Sequence, residues 1–445
     1  MVDYVHFIGI GGISMSGIAK VLLNNGIRVS GSDSSESETV KELIQLGAEV
    51  SIGQNKNNIT NQNLVVYTSA VKDDNPEMIA AREKGIELID RATMLGRIMK
   101  NYHTAVSVAG THGKTTVTSM MAYILIKAGL DPTVMVGGKL DGIDGNLRIG
   151  KSEYFVTETC EYMRNFLKFF PTVAIILNVE EDHLDYYRDI DDIINAFNEF
   201  ASLVPKDGFV VTNAESENSI KSVKNINAKV YTFGFKNADF TAENIEFSQF
   251  GYPSFDVIKD GEKLFRLNLN VVGIHNVLNA TAAALAAYKM GIDLKSIKAG
   301  LEAFTGTKRR FEKKGFVNGA IIIDDYAHHP TEISATLSAL KKVAHNHEWC
   351  IFQPHTYTRT YSLLDEFADA LSAAENVIIT DIFAAREKDT GLVNAKQLAD
   401  KIKNAVYIKD FKDIADYIRK NASEGDVVLT MGAGNVCDIG PMLID

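Results

Sequence analysis

The chain has 445 residues, enough for about two to four domains at roughly 150 residues each. With 46% hydrophobic and 23% charged residues, its composition is that of a soluble globular protein and excludes a fibrous or disordered one. The formal net charge of -11, without a basic tail or stripe, argues against a nucleic-acid partner.

Cysteine usage and hydropathy indicate a cellular compartment. Cys160, Cys350 and Cys437 lie far apart and form no metal-binding spacing, as is usual in a reducing cytosol. The first residues lack the basic and then apolar pattern of a secretory signal. No apolar run approaches the ~18 residues that a membrane span needs. We therefore expect a cytoplasmic protein with no membrane partner.

Apolar strands alternate with helical patterns in three successive segments, which predicts α/β folding with mainly parallel sheets covered on both faces. We place the segments at residues 1–101, 102–304 and 305–445. The first and third look like Rossmann-like modules. They flank a central segment that begins with a phosphate-binding loop of the P-loop ATPase type.

The first segment opens with a strand at Tyr4–Ile8, a glycine-rich turn, and a helix ending near Asn24. The turn matches GxGxxG except that Ser14 takes the third glycine position, so the dinucleotide fingerprint is imperfect. Asp33 ends the second strand, where an acidic residue can bind a ribose hydroxyl. The alternative is a tight turn with no ligand. Further strands are expected at residues 28–32, 48–52 and 64–68.

The second segment runs from an apolar strand into Gly110-Thr111-His112-Gly113-Lys114-Thr115-Thr116, which opens a helix. Two glycines let backbone N–H groups point at phosphate oxygens, and the helix dipole adds positive potential. Lys114 would reach the β and γ phosphates of ATP, and Thr115 would bind Mg²⁺. The first glycine of the full GxxxxGK[ST] pattern is replaced by Val108. The alternative is a glycine-rich turn with a chance lysine.

Acidic residues follow two further strands of this segment. The strand at 154–157 ends at Glu158, and the strand at 172–179 leads into Glu180–Asp185. Ligands of open α/β sheets gather at the carboxyl ends of strands, so both clusters should face the phosphate loop. Glu161 and His183 are the candidate metal ligands, although histidine is an unusual ligand for Mg²⁺. The alternative for the acidic cluster is a solvated helix start.

An alanine-rich helix through Ala287 begins with His275, Asn276 and Asn279 within one turn. The side-chain amides of Asn276 and Asn279 are suited to reading a purine edge. Helix capping by Asn276 is the alternative.

Basic and polar residues mark the third segment. Thr307–Phe311 is a basic cluster in which Arg310 would stabilise a transferring phosphoryl group, or else simply carry solvated linker charge. Asp324–Glu332 follows one strand and enters a helix with Pro330 in its first turn. Phe352–Thr360 follows another, and Arg359 there is suited to a carboxylate or phosphate. Strands are expected at residues 320–324, 349–353, 377–381 and 427–430, the last before a turn at 432–435.

Taken together, the motifs resemble those of the Mur ligases over almost the whole chain. They are GIGGISMSGIA, GTHGKTT, NVEEDHLD, GIHNVLNA, GTKRRF, DDYAHHPTE, FQPHTYTRT and TMGAGN, in that family's order. The shortened phosphate loop fits, because GTxGK[ST] is the family's usual form. The resemblance is greatest to members that join L-alanine to UDP-N-acetylmuramate. It implies an N-terminal UDP-sugar domain, a central ATPase domain and a C-terminal amino-acid domain.

The resemblance also implies the site residues, motif by motif. The ATP-binding set is Gly110, Thr111, His112, Gly113, Lys114, Thr115, Thr116, His275, Asn276, Asn279 and Arg310. The UDP-sugar set is Gly9, Gly11, Gly12, Ser14, Met15, Ser32, Asp33 and Ser69. The amino-acid site is Tyr326, His328 and Arg359. The metal ligands are Thr115, Glu161 and His183. The catalytic set is Lys114, Glu161, His183, Arg310 and His328.

The implied reaction is carboxylate activation with ATP and Mg²⁺. The lactyl carboxylate attacks the γ phosphate to give an acyl phosphate and ADP, and the amine of the amino acid then displaces phosphate. Lys114, Arg310 and the metal would stabilise the developing charge. His328 would act as a general base or orient the amine. Closure of the domains would assemble the parts.

The chain departs from the family pattern at two places. Thr356 stands where FQPH is usually followed by arginine, which removes a cation near the amino-acid site. Cys160 and Met163 stand where acidic residues are usual. The nearest rival function is a ligase that attaches a preformed peptide to the same sugar nucleotide. More distant rivals are a folate polyglutamate ligase, a nucleotide-dependent dehydrogenase and a non-catalytic sugar-nucleotide-binding protein.

Overall fold

A computed structural model describes residues 3–68, 71–140, 145–248, 251–306, 309–385, 387–389 and 391–444. The chain folds into two compact units. One comprises Met1–Asp239 with Ala282–Gly300, and the other comprises Phe240–Thr281 with Leu301–Asp445. None of the helices in the described ranges combines the length and apolarity that crossing a lipid bilayer requires.

The first unit begins with a five-stranded parallel sheet in the order β3-β2-β1-β4-β5. Its strands are β1 (Tyr4–Ile8), β2 (Arg28–Asp33), β3 (Glu49–Ile52), β4 (Leu64–Tyr67) and β5 (Glu87–Asp90). Its helices are α1 (Ile13–Asn24), α2 (Glu38–Gln45), α3 (Pro76–Glu83) and α4 (Arg91–Met99). The strands expected from the sequence are present, and the parallel pairing of the first segment is confirmed.

The central sheet of this unit runs β12-β11-β10-β6-β9-β7-β8, parallel except for the β7–β8 pair. Its strands are β6 (Thr104–Ala109), β7 (Thr133–Leu140), β8 (Gly145–Arg148), β9 (Tyr154–Glu158), β10 (Val173–Ile176), β11 (Phe209–Asn213) and β12 (Lys229–Gly234). Its helices are α5 (Lys114–Lys127), α6 (Ile190–Ser202) and α7 (Glu217–Ser222). β6, β9 and β10 lie side by side, so the loops after them meet at one edge.

The two sheets of the first unit share a packed boundary. Phe155 and Phe169 of the central part belong to the same buried cluster as Val5 and Leu95. A Cβ added at Gly96 of α4 would lie 2.0 Å from the carbonyl oxygen of Lys168, so only glycine fits there. The Lys168 ammonium lies 2.9 Å from the Asp90 carboxylate. The two sheets are therefore held together by close backbone approach as well as by apolar burial.

The second unit contains an antiparallel meander and a mainly parallel sheet. The meander is β13 (Phe240–Phe247), β14 (Pro253–Lys259) and β15 (Glu262–Asn268). Helices α8 (Ile274–Lys289) and α9 (Leu294–Ala303) come next along the chain. The meander was not predicted, because no strand was expected from the sequence between residues 240 and 268.

The remaining sheet has the order β16-β17-β21-β18-β19-β20 and is parallel apart from the edge pair β16–β17. Its strands are β16 (Glu312–Val317), β17 (Ala320–Asp325), β18 (Glu348–Phe352), β19 (Asn376–Ile379), β20 (Ala405–Tyr407) and β21 (Val427–Met431). Its helices are α10 (Pro330–Leu340), α11 (Tyr357–Ser362), α12 (Leu364–Leu371), α13 (Ala395–Lys401), α14 (Phe411–Asn421) and α15 (Ile439–Leu443). Pro330 occupies the first turn of α10, as predicted. The three-part α/β class with mostly parallel sheets is confirmed.

Candidate functional site

The phosphate loop lies between the end of β6 and the start of α5. Gly110 and Gly113 have φ angles of 143° and 83°, which side-chain-bearing residues rarely adopt. A Cβ at Gly110 would also lie 3.1 Å from the Leu177 Cβ atom. Because Gly113 precedes the first turn of α5 and has no side chain, the N–H groups of that turn have no side-chain cap. The loop therefore has the form of an anion site.

Asn178, just after β10, sets the shape of this loop. Its side-chain oxygen accepts a hydrogen bond from the His112 N–H at 2.7 Å, and its amide donates to the His112 carbonyl at 3.2 Å. The Glu180 N–H donates to the Thr111 hydroxyl at 2.9 Å. Asn178 was not predicted as a site residue, because its partner lies 66 residues away in sequence.

Lys114 is turned back over its own loop. Its ammonium lies 3.1 Å from both Glu161 carboxylate oxygens and donates to the carbonyls of Gly110 and Thr111. Burial opposes the charge, but the Glu161 carboxylate outweighs it, so the pKa of Lys114 lies above its ordinary value. Lys114 is thus a charged group held at the mouth of the phosphate loop.

Thr115, on the first turn of α5, is oriented by Glu158 at the end of β9. The Thr115 hydroxyl donates to the Glu158 carboxylate at 2.6 Å. Glu158 in turn lies against Gly137, where a Cβ would come within 1.9 Å of its oxygen. From the sequence, Glu158 was identified only as the end of a strand, and the structure adds it to the site.

Three groups at this edge lie close enough together to hold a cation. One ligand atom each of Glu161, Asp182 and His183 lies within 4.8 Å of the others. His183 adopts a φ of 55°, and its N–H donates to the Asp182 carboxylate at 2.7 Å. Two carboxylates and an imidazole fit a divalent cation. The structure brings Glu161 and His183 together and adds Asp182, which the sequence analysis placed only within an acidic run.

The glycine-rich turn after β1 is held by the end of β2. The N–H groups of Gly9 and Ile10 donate to the Ser32 carbonyl at 2.8 and 3.0 Å. The Gly11 N–H donates to the Asp33 carboxylate at 2.8 Å. Asp33 was expected to bind a ribose hydroxyl, and here one of its oxygens fixes the turn. Gly12 and Ser14 lie at the start of α1 and are partly or fully exposed.

Two residues assigned to the UDP-sugar set have buried side chains. Met15 is 2% exposed within the core, and Ser32 is fully buried with its hydroxyl donating to Glu77 at 2.6 Å. In this structure neither side chain is accessible to a ligand. Ser69 lies outside the described residues.

The start of α8 carries an internal amide network. The Asn276 side chain donates to the Val272 carbonyl at 2.8 Å and accepts from Asn279 at 3.0 Å. Gly273, with φ of 97°, leaves room for the His275 ring, which a Cβ would approach to 2.6 Å. The bond to Val272 favours a structural role at the helix start for Asn276, the alternative left open by the sequence.

In the second unit the adjacent arginines of the basic cluster have different environments. Arg309 lies 3.1 Å from Asp324 and donates to the carbonyls of Gly432 and Gly434 at 2.6 and 3.0 Å. Arg310 lies 5.3 Å from the centre of the Tyr326 ring and 3.7 Å from Glu332. Arg309 thus holds a glycine turn, whereas Arg310 is only loosely paired. Thr307 and Lys308 lie outside the described residues.

His328 is oriented by two acceptors at one ring nitrogen. Its Nδ1 lies 3.0 Å from the Tyr326 carbonyl and 3.1 Å from the Glu332 carboxylate. Because both partners accept, the proton of the neutral ring belongs on Nδ1, and Nε2 carries the lone pair. This tautomer is compatible with either role expected for His328.

The loop after β18 contains His355 and Thr356, and Arg359 lies on the helix α11 that follows it. The Arg359 guanidinium is 3.5 Å from the His355 ring. Burial, reinforced by the neighbouring His328 and Arg359, lowers the pKa of His355 to about 4, so the ring is neutral at pH 7. Thr356 has a φ of 63° and caps α11, whose second residue, Thr358, donates from its N–H to Glu387 at 3.0 Å. The residue that replaces the usual arginine therefore has a defined backbone role.

Family models match three successive parts of the chain. Residues 4–103 match "Mur ligase family, catalytic domain", residues 108–287 match "Mur ligase middle domain", and residues 309–434 match "Mur ligase, glutamate ligase domain". Together the three matches include the glycine turn after β1, the phosphate loop, the group formed by Glu161, Asp182 and His183, and the loop after β18.

Whole proteins are similar as well. The chain is 51% identical over 445 residues to UDP-N-acetylmuramate--L-alanine ligase of Clostridium novyi (strain NT), covering 99% of this chain and 97% of that protein. A solved UDP-N-acetylmuramate-alanine ligase from Thermotoga maritima is 32% identical, with a TM-score of 0.81 and coverage of 99% and 98%. A murein peptide ligase from Psychrobacter arcticus 273-4 is 28% identical, with a TM-score of 0.72 and the same coverage. Matches of this extent, on a fold and site built in this way, leave one conclusion: the chain belongs to the Mur ligase family.

Proposed function

We propose that this protein is the ligase that joins L-alanine to the lactyl carboxylate of UDP-N-acetylmuramate, using ATP and passing through an acyl phosphate. The observation that carries the proposal is the 51% identity, over the full length, to a protein named for that reaction. Identity to the murein peptide ligase is 28%. A single amino acid is therefore favoured over a preformed peptide as the acceptor. The sugar nucleotide and ATP are cytoplasmic metabolites, and we place the reaction in the cytoplasm.

We assign the nucleotide phosphates to the loop Gly110–Thr116. Lys114 is charged and close to the loop carbonyls, so a short rotation of its side chain takes the ammonium from Glu161 to a phosphate oxygen. Thr115, Glu161, Asp182 and His183 are suited to holding Mg²⁺ beside it. When bound, Mg²⁺ neutralises phosphate charge and orients the γ phosphate. The glycine turn at Gly9–Gly12 would receive the sugar nucleotide.

The second unit supplies the groups for amide formation. Arg310 is loosely paired and is assigned to the transferring phosphoryl group. Arg359 is assigned to the amino-acid carboxylate, and the neutral His355 beside it adds no competing charge. His328, with its lone pair on Nε2, is assigned to accept a proton from the attacking amine or to orient it.

Phosphate release tests the proposal directly. Purified protein with ATP, Mg²⁺ and UDP-N-acetylmuramate should release phosphate when L-alanine is added and should not respond to a tripeptide. Lys114→Ala should abolish release, because no lysine ammonium is then present to stabilise the charge on the γ phosphate. Release that requires the peptide supports the rival ligase, and a wild-type rate in Lys114→Ala would remove the phosphate-loop assignment.

A further inference from the structure

Two tyrosines contact the segments that carry the proposed cation ligands. The Tyr162 ring lies 4.7 Å from the His183 ring, centre to centre, with the planes inclined by 43°. The Tyr162 hydroxyl donates to the Asp185 carboxylate at 3.0 Å, two residues beyond His183. Tyr162 thus contacts the imidazole with its ring and the following turn with its hydroxyl.

Tyr187 acts on the other ligand segment. Its hydroxyl donates to the Glu161 carbonyl at 2.5 Å, and the side chain is 2% exposed. The Tyr187 N–H also donates to the His183 carbonyl at 2.9 Å. One residue therefore links the backbone of both ligand segments.

The segment that follows Glu161, residues 162–164, is anchored to the rest of the first unit. Met163 and Arg164 both have a φ of 53°, and the Arg164 guanidinium lies 2.7 Å from Asp192 and 2.7 Å from Glu199 on α6. These ion pairs attach the strained segment to a helix of the central sheet. The backbone that carries Tyr162 is consequently held in place beside His183.

We propose that Tyr162 and Tyr187 are positioning residues that hold His183 and Glu161 in the orientation required to bind a divalent cation. The inference rests on the proposed function, because it takes Glu161 and His183 as the ligands of the ATP-bound cation. An imidazole can rotate freely about two side-chain bonds, and groups that touch a ligand from outside fix its orientation and raise metal affinity. Tyr162 limits that rotation through ring contact, whereas Tyr187 fixes the Glu161 backbone.

Mn²⁺ binding to the full chain in the presence of ADP measures this effect without turnover. Electron paramagnetic resonance gives the Mn²⁺ affinity, and electron spin echo modulation detects nitrogen from a bound imidazole. We expect Tyr162→Ala to weaken Mn²⁺ binding about tenfold and to reduce the nitrogen signal. Tyr162→Phe keeps the ring and should bind within about twofold of wild type. Tyr187→Phe should weaken binding roughly fivefold through the lost hydrogen bond.

Two controls separate the outcomes. His183→Ala should lose the nitrogen signal and most of the affinity, and if it does not, the proposed cation site fails together with this inference. If His183→Ala loses both while Tyr162→Ala binds Mn²⁺ like wild type, only the positioning role is overturned. Tyr186→Phe, in the same segment, keeps its ring contacts and should bind normally. Tyr162→Leu replaces the alanine variant if that variant melts well below wild type, and is interpreted in the same way.

Discussion

Replacing Asn178 with alanine should weaken nucleotide binding while leaving the protein folded. The change removes two hydrogen bonds to His112, at 2.7 and 3.2 Å, that shape the phosphate loop before any nucleotide arrives. At about 1 kcal/mol for each bond, the ordered loop loses about 2 kcal/mol. If the nucleotide must restore that order on binding, its affinity falls by roughly 30-fold, because 1.4 kcal/mol corresponds to a factor of ten.

The assay is calorimetric titration with ADP, supported by the KM for ATP in phosphate release at saturating co-substrates. Asn198→Ala is the matched control, since Asn198 also donates twice to backbone carbonyls, of Ser222 and Lys224, but on α6. Both variants should lose similar stability, and only Asn178→Ala should lose ADP affinity. Equal affinity in the two variants would refute the idea that Asn178 preorganises the loop.

Three further predictions concern stability, pH and the paired arginines. Gly96→Ala forces a Cβ within 2.0 Å of a carbonyl oxygen and should lower the free energy of unfolding by about 1–3 kcal/mol, which denaturant titration would show. Burial raises the pKa of Asp325 to about 6, so the carboxyl stabilises the fold below about pH 4 and loses that contribution as pH rises to about 6. The stability difference between wild type and Asp325→Asn should therefore shift by up to about 3 kcal/mol across that window, and a flat difference would contradict the burial argument. Arg309→Ala should lower the melting temperature because a buried carboxylate and two carbonyls lose their donor, whereas Arg310→Ala should reduce kcat with little thermal effect. If Arg309→Ala instead reduced kcat and Arg310→Ala lowered the melting temperature, Arg309 would be the functional arginine and Arg310 the structural one.

Local motifs were predictable because their chemistry lies within a few residues. The glycines, Lys114 and Thr115 follow one another in the chain, and the strand before and helix after them are strong patterns. Asn178 and Asp182 could not be selected in this way. Asn178 contacts His112, and Asp182 lies near Glu161, only because the order of strands in the sheet brings these distant segments together. The pairing of β10 with β6 in the sheet cannot be read from the order of residues in the chain.

Neighbouring residues of one type posed the opposite difficulty. Arg309 and Arg310 are chemically equivalent in the sequence, and the direction each side chain takes depends on the register of β16 with β17 and on the turn after β21. Ser32 likewise looked like a ligand group at a strand end. It faces inward because Glu77, on α3, supplies a buried acceptor 45 residues away. In these cases the direction of burial, rather than the residue type, identifies the side chains with a structural role.

Glu161 has a consequence that extends beyond its own position. The same carboxylate holds the Lys114 ammonium at 3.1 Å and belongs to the group of three cation ligands. In the proposed site, a cation bound by this carboxylate would release the lysine, and a phosphate bound by the lysine would release the carboxylate. Each ligand would therefore make room for the other, and thermodynamic reciprocity would then require the two affinities to rise by the same factor. In their absence the Lys114 charge is paired with Glu161, which would disfavour the binding of inorganic phosphate alone.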